Sequence, residues 1–452
     1  MNSFLVLLIF YAILGTVIAI YVREARSQEE FFVGGRKIGG VVSALTYAST
    51  TYSAFMMVGL VGLSYSTGVG ALGFELMYLV GTLFLLSYYA PKVWSLGKEK
   101  GYISPSELIG ERYGDVTAKL SAILALFALI PYTSIQLIGV ALILEKNAAL
   151  SYSNGIVIAA VLIALWAFIG GLRGVALTDA IQGLFMLATA FAALAWVSLR
   201  VDFSAVSKLG ELMYVPNKIW TPKFFAALTI PWFFFALTNP QVFQRLFIPK
   251  DKRALRKMII YFGLFGLIYT VIVTLLGIEL RLMTVEGSFP FITNRDEVTP
   301  NLLAIMPSWI SLLLALSILA AAITTANSIV LTLSSMVSRE IAGGVLVGRI
   351  VVVVLTIFVA IFALQRVSYI VELAVLSSTI LLCFLPLIFG IFHFKIGGKI
   401  TGVSTLLIGF TAAVMLTYFK VSILPPSVLT FFLVFATFFL VGFAESRNRP
   451  KS

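Results

Sequence analysis

Residues 43–59 read SALTYASTTYSAFMMVG, and residues 229–245 read TIPWFFFALTNPQVFQR. Both are apolar enough to lie in a bilayer, and both oppose a continuous helix. The first packs six Ser or Thr into positions 43–53. Hydroxyls compete with the backbone for hydrogen bonds, so unwinding is expected near Ser49–Ser53. The second is bracketed by Pro231 and Pro240. Each proline removes a donor and disfavours helical backbone in the residue before it. Irregular backbone at membrane depth persists only where it is buried in protein or lines a cavity. The placement of these two segments among the other apolar stretches therefore decides the architecture.

Of the 452 residues, 60% are hydrophobic and 12% are charged. A soluble domain has about 45–50% and about 25%. A soluble fold, disorder and, with Cys383 alone, a disulfide scaffold are excluded. Apolar stretches between charged or turn-rich breaks give thirteen candidate spans: 3–22, 40–63, 70–90, 117–144, 154–171, 174–199, 224–243, 258–280, 308–336, 347–365, 368–392, 400–419 and 427–444. A bilayer-crossing helix needs about 20 residues. The loops after the odd-numbered spans, span edges included, carry 23 of the 32 Lys and Arg residues. The positive-inside bias places these loops in the cytoplasm, the N-terminus outside and the C-terminus inside. The net charge of +12 thus reads as membrane orientation and not as a nucleic-acid surface. The outer loops at 200–222 and 281–307 are long enough for short helices.

The interrupted segments are spans 2 and 7, five apart. They open two five-helix halves, spans 2–6 and 7–11, and an odd number of helices per half forces opposite topology on the two. Interrupted helices at matching positions of inverted halves point to the central site of a secondary transporter; two kinked packing helices are the plainer alternative. The expected division is an N-terminal helix and loop (1–39), a first repeat (40–199), an outer loop (200–223), a second repeat (224–392) and two C-terminal helices with a tail (393–452).

Several side chains stand out. Glu75 lies inside span 3 with no basic neighbour in sequence. An ionisable group at that depth faces a partner or a cavity, or is a protonated carboxyl bonded to a backbone carbonyl. Asp179 lies near the cytoplasmic start of span 6, where a carboxylate suits the helix dipole. Glu372 is expected to be solvated and His393 to be a surface residue. Gln136, with Tyr132 and Ser134, is polar enough to face the centre, without an assigned role. Taken alone, Thr324 and Thr325 are expected to bond back to the preceding turn.

Five stretches resemble one family in order and spacing over about residues 31–400: FFVGGRKIGG (31–40), SAFMMVGLVGLSYSTG (53–68), GGLRGVALTDAIQGLFM (170–186), TNPQVFQRLFIPKDKRALRK (238–257) and LAAAITTANSIVLTLSSMVSRE (319–340). They resemble the sodium:solute symporters, which include sodium/glucose, sodium/proline, pantothenate and monocarboxylate transporters. The resemblance implies an all-α polytopic protein with a LeuT-type 5+5 inverted-repeat core, one extra helix before it and two after. It implies secondary active transport driven by sodium.

Carried onto this chain, the family pattern implies a sodium site. It comprises the carbonyls of Ser49, Tyr52 and Ala321 and the hydroxyls of Thr324 and Thr325. A small hard cation needs several oxygen ligands to replace its water, and residues at i, i+3 and i+4 share one helix face. Thr51 departs from proline-type relatives, which carry an acid there. That leaves the site without a carboxylate of its own. Asp179 corresponds to an acid near the inner sodium exit, a role compatible with a helix cap. The implied solute contacts are Thr51, Ser53, Met56, Glu75, Trp232 and Phe235, with Phe74 and Phe235 as gates; for the aromatics, packing is the plainer alternative.

The expected partners are a sodium ion, a small organic solute and the bilayer, with no nucleic acid and no obligate protein partner. An enzyme is not expected, because no His/Cys/Asp cluster or nucleophile motif is present. A small monocarboxylate or an amino acid is the expected solute, with nucleobases and vitamins left open. Two alternatives stay open: proton coupling through Glu75 or Asp179, and a membrane sensor that keeps the fold without transporting.

Overall fold

The computed structural model describes residues 3–23, 27–147, 150–366, 370–394, 396–419 and 424–447. Among them every named element is helical, with one isolated bridge between Ile38 and Pro249. Helix α1 (Ser3–Tyr21) precedes the short α2 (Gln28–Val33). Then α3 (Gly40–Thr51), a π-helical segment (Phe55–Leu60) and α4 (Val61–Thr67) form the first interrupted crossing. The first half continues with α5 (Gly70–Lys100), α6 (Pro105–Tyr113), α7 (Asp115–Asn147) and α8 (Tyr152–Ser198). The second interrupted crossing is α9 (Pro222–Phe233), α10 (Phe235–Thr238) and α11 (Pro240–Gln244). It is followed by α12 (Lys252–Glu286), α13 (Val298–Ile305), α14 (Ser308–Glu340), α15 (Val345–Ala363), α16 (Ile370–Leu381) and α17 (Leu385–Phe392). Last, α18 (Lys399–Tyr418) and α19 (Pro426–Arg447) pack on each other.

Among the described residues, 10 helical stretches are long and apolar enough to cross a membrane, α16 and α17 counting as one. Helix α8 holds 47 residues and breaks at Gly171 (φ 53°, ψ −162°). Trp166, before the break, packs on Gly15 of α1, and Gln182, beyond it, donates to Tyr11 of the same helix. The chain therefore doubles back at Gly171, and α8 is two crossings. With the two interrupted crossings this makes the thirteen spans read from the sequence. Gly171 is required there: its φ is left-handed, and a Cβ would lie 2.8 Å from the Phe31 carbonyl oxygen.

The interruptions have local causes. Helix α3 ends at Tyr52 (φ −87°, ψ 86°). The next N–H groups find side-chain acceptors: Ala54 donates to Gln136 Oε1 at 3.2 Å, and Phe55 donates to Ser53 Oγ at 3.1 Å. This is the competition for backbone hydrogen bonds expected of the hydroxyl-rich stretch. In the second crossing the backbone leaves the helix at Asn239 (φ −92°, ψ 111°), the residue before Pro240. Pro231 acts differently from expectation. It stays inside α9, and the other irregular residue is Phe234 (φ −91°, ψ 5°). Pro231 has no N–H for the Ala227 carbonyl one turn back, and Ser427 of α19 supplies that donor instead, Oγ to Ala227 O at 2.7 Å.

The loops at 200–222 and 281–307 contain short helices as expected, a 3-10 segment at Phe203–Met213 and α13. The sequence reading missed α2 and α6. Each opens with a capping box, Ser27 with Glu30 and Ser104 with Glu107.

Candidate functional site

The two halves meet where α3 ends. The last carbonyls of a helix lack intrahelical donors. The Ser49 carbonyl accepts two hydrogen bonds from α14, from Thr324 Oγ1 and from Thr325 Oγ1, each at 3.0 Å. Thr324 Oγ1 is also 2.9 Å from the Ala321 carbonyl. Ser49, Tyr52, Ala321, Thr324 and Thr325 are all 0% exposed. Four of the five expected ligand oxygens thus form one hydrogen-bonded cluster. Tyr52 is the C-cap of α3, three residues beyond Ser49. Only Thr324 makes the bond to its preceding turn expected of an isolated hydroxyl. The bond from Thr325 crosses between helices. A buried cluster of oxygens drawn from two helices suits a small hard cation.

Two glycines press on Ser49 and Tyr52. A Cβ at Gly183 of α8 would lie 2.5 Å from Ser49 Oγ. A Cβ at Gly266 of α12 would lie 2.3 Å from the Tyr52 hydroxyl oxygen. The Tyr52 ring is enclosed by α12, stacked on Phe262 and Phe265 at centroid distances of 5.9 Å.

Asp179 lies beside this cluster and not where a helix cap would be. It is two turns beyond Gly171, outside the first turn in which the dipole acts, and it is fully buried. Its Oδ2 accepts from Thr46 Oγ1 at 2.7 Å, and its backbone carbonyl accepts from Ser49 Oγ at 2.9 Å. Arg245, also 0% exposed, donates to Ser328 Oγ, which lies 2.9 Å from Thr50 Oγ1. Neither Arg245 nor Ser328 was singled out in the sequence.

Toward the other side of the break lies an aromatic group. The Trp232 ring sits 5.3 Å from Phe55, 5.4 Å from Phe235, 5.8 Å from Phe74 and 6.3 Å from Tyr78. The expected residues Trp232, Phe235 and Phe74 are therefore together. Phe55 of the π-helical segment also meets Trp232, and the expected solute contact Met56 is buried beside it in that segment. The Ser53 hydroxyl lies at the break, where it accepts from the Phe55 N–H. Thr51 Oγ1, Glu75 Oε2 and the Tyr52 and Tyr78 hydroxyls are buried without a close hydrogen-bond partner. Thr51 adjoins Tyr78, Trp232 adjoins Glu75, and Thr270 adjoins Tyr52. Buried polar groups normally have partners, which makes this set, among the described residues, the candidate place for a polar solute. Tyr78 was missed. It lies three residues from Glu75 on the same face of α5, a spacing that was available in the sequence.

The remaining residues have structural places. Gln136 holds the α3 break through Ala54. Ser134 donates to Val359 O at 3.0 Å, and Tyr132 meets Phe235 edge-on at 6.3 Å. Glu372 is exposed, as expected, and pairs with Arg295. His393 is exposed too and bonds Tyr89 at 2.7 Å.

The sodium:solute symporter family model matches residues 31–409. The chain belongs to the sodium:solute symporter family. This family member is 29% identical over 304 residues to the sodium/pantothenate symporter of Haemophilus influenzae, covering 64% of this chain and 61% of that one. It is 25% identical over 190 residues to a sodium/proline symporter of Staphylococcus aureus, covering 41% and 37%. It is 27% identical over 201 residues to a monocarboxylate transport permease of Rhizobium johnstonii, covering 43% and 40%. The matched part thus spans less than two thirds of these relatives' length. The fold is that of a solved Na+-coupled sialic acid symporter, with a TM-score of 0.86 over 99% of this chain and 98% of the other, at 17% identity. This family member is a multi-pass membrane protein with a LeuT-type core.

Proposed function

We propose that the chain couples inward sodium flux to uptake of a small organic solute by alternating access. The observation that carries this reading is the convergence of Thr324 and Thr325 of the second half on the Ser49 carbonyl of the first. A cation held by oxygens of both halves ties them together, so its binding and release bias their relative position. Ser49, Tyr52, Ala321, Thr324 and Thr325 are the sodium ligands, and Asp179 lies on the ion's inner path. The basic loops face the cytoplasm, with the N-terminus outside and the C-terminus inside.

The solute site lies between Glu75, Thr51, Tyr52, Tyr78 and Trp232, with Phe74 and Phe235 bounding it. Hydroxyl and indole donors suit a carboxylate, and Glu75 suits a donor on the same molecule. The solute is therefore a small carboxylate bearing an amino or hydroxyl group. Pantothenate and proline, named for two relatives, both fit that description. Uptake of labelled proline, pantothenate, lactate and glucose into proteoliposomes, with sodium, proton or no gradient, tests the reading. Sodium-driven uptake of an amino or hydroxy acid supports it. Uptake driven by protons alone moves the coupling to Glu75 and Asp179.

A further inference from the structure

Helix α1 lies outside the two halves, against α8, and the seam between them holds two adjoining features. Near the middle of α1 a crevice of about 210 Å³ opens between the helices. Its walls include Phe10, Leu14 and Ile18 of α1 and Ile181 and Phe185 of α8. Phe10 is 64% exposed and Ile181 is 54% exposed, so the crevice faces outward at bilayer depth. At the inner end of the same α1 stripe, one turn beyond Ile18, Val22 borders a second cavity of about 120 Å³. This one is polar. Lys37 and Arg173 line it, with the side-chain-free backbone of Gly34, Gly35 and Gly170. Arg173 stands in the first turn of the second arm of α8, whose N-terminal end carries partial positive charge. The one acid in the lining, Glu30, turns to the cap of its own helix and accepts from the Ser27 N–H. Among the described residues Lys37 and Arg173 form no ion pair.

From Phe10 to Val22 an α-helix rises about 18 Å at roughly 1.5 Å per residue. That is close to the hydrocarbon depth of one leaflet, about 15 Å. An apolar slot of leaflet depth ending in a cationic polar cavity at the basic-loop face has the shape and charge of one kind of molecule. We propose that the α1–α8 seam binds an anionic phospholipid of the inner leaflet. Its phosphate and headgroup lie between Lys37 and Arg173, and one acyl chain fills the crevice beside Leu14 and Ile181. This site is separate from the sodium and solute sites, and it pins the peripheral helix α1 to the doubled-back α8. Basic pockets between crossing helices on the cytoplasmic side are suited to such headgroups.

Native mass spectrometry of the purified, delipidated protein tests the proposal, with phosphatidylglycerol and phosphatidylcholine of identical chains. The wild type is expected to retain one phosphatidylglycerol at collision energies that strip phosphatidylcholine. The double variant Lys37→Gln/Arg173→Gln is expected to lose that retention, with an unchanged melting midpoint in detergent. Leu14→Trp, which fills the crevice, is expected to lose it too. Lys252→Gln/Arg256→Gln, in the first two turns of α12 on the same face, is expected to retain it. Equal retention of both lipids by the wild type overturns the proposal. So does undiminished retention in Lys37→Gln/Arg173→Gln, and so does an equal loss in Lys252→Gln/Arg256→Gln, which would reduce the effect to diffuse surface charge.

Discussion

The Thr325 hydroxyl lies 3.0 Å from the Ser49 carbonyl oxygen, across a separation of 276 residues. Ser49 lies in the last turn of α3, just before the break in the first interrupted crossing, and Thr325 stands mid-way along α14. The bond joins the two inverted halves at a point where helix α3 has run out of backbone donors. A cation at this point replaces a hydrogen bond between halves with coordination between halves, which makes its occupancy felt by the arrangement of both.

The packing of Gly183 against Ser49 gives the first prediction. A Cβ placed 2.5 Å from Ser49 Oγ must displace it, and overpacking of a tight core costs about 1–3 kcal/mol. Gly183→Ala should raise the sodium concentration for half-maximal uptake by roughly tenfold, each 1.4 kcal/mol being a decade. Adding Ser49→Ala removes the clashing oxygen and keeps the carbonyl, so the double variant should return toward wild-type sodium dependence. No rescue would mean that Gly183 acts elsewhere.

Gln136 gives the second. Its amide oxygen is the acceptor for the Ala54 N–H just beyond the break. Gln136→Leu leaves that buried donor unpaired, at a cost of about 1–3 kcal/mol. Thermal unfolding in detergent should show a lower midpoint, and uptake should slow. Gln136→Glu, which retains an acceptor, should do less harm. Equal effects would place the role of Gln136 outside this bond.

Much of this was legible in sequence, for physical reasons. Hydropathy marks every crossing because each must satisfy its backbone within the bilayer. The break at Tyr52 was visible because six hydroxyls crowd one stretch. The break before Pro240 follows from proline sterics. Pro231 misled, since its missing donor is replaced by Ser427 from 196 positions away, and no local pattern announces that. Asp179 read as a helix cap because the exact turn of the chain at Gly171 sets how deep it lies. Its contacts with Thr46 and Ser49 belong to packing between helices. Tyr78 was the avoidable omission.

Glu75→Gln should lower solute affinity by about tenfold or more, on the 1.5–3 kcal/mol scale of a charge-assisted hydrogen bond. Protein yield should not fall, because Oε2 has no partner in the chain to lose. Uptake titrated with solute at saturating sodium measures this. Wild-type affinity and rate in the variant would remove Glu75 from the solute site.

Sidedness is checked with single cysteines at two exposed positions, Lys208→Cys in the 3-10 segment and Arg256→Cys near the start of α12. The native Cys383 is buried. In intact cells an impermeant maleimide should label position 208 and should reach position 256 only after permeabilisation. Labelling of both from outside would break the assignment of the halves.

The most direct test of the account is the sodium dependence of uptake in Thr325→Val proteoliposomes. The substitution keeps the branched shape and deletes the oxygen. Loss of one partner in a buried polar cluster costs about 1–3 kcal/mol, which corresponds to a roughly tenfold to hundredfold rise in the sodium concentration for half-maximal uptake. Thr325→Ser keeps the oxygen and should stay close to wild type. Solute affinity at saturating sodium should change little in either variant. Wild-type sodium dependence in Thr325→Val would contradict the account, because the hydroxyl that joins the two halves would then not bind the ion.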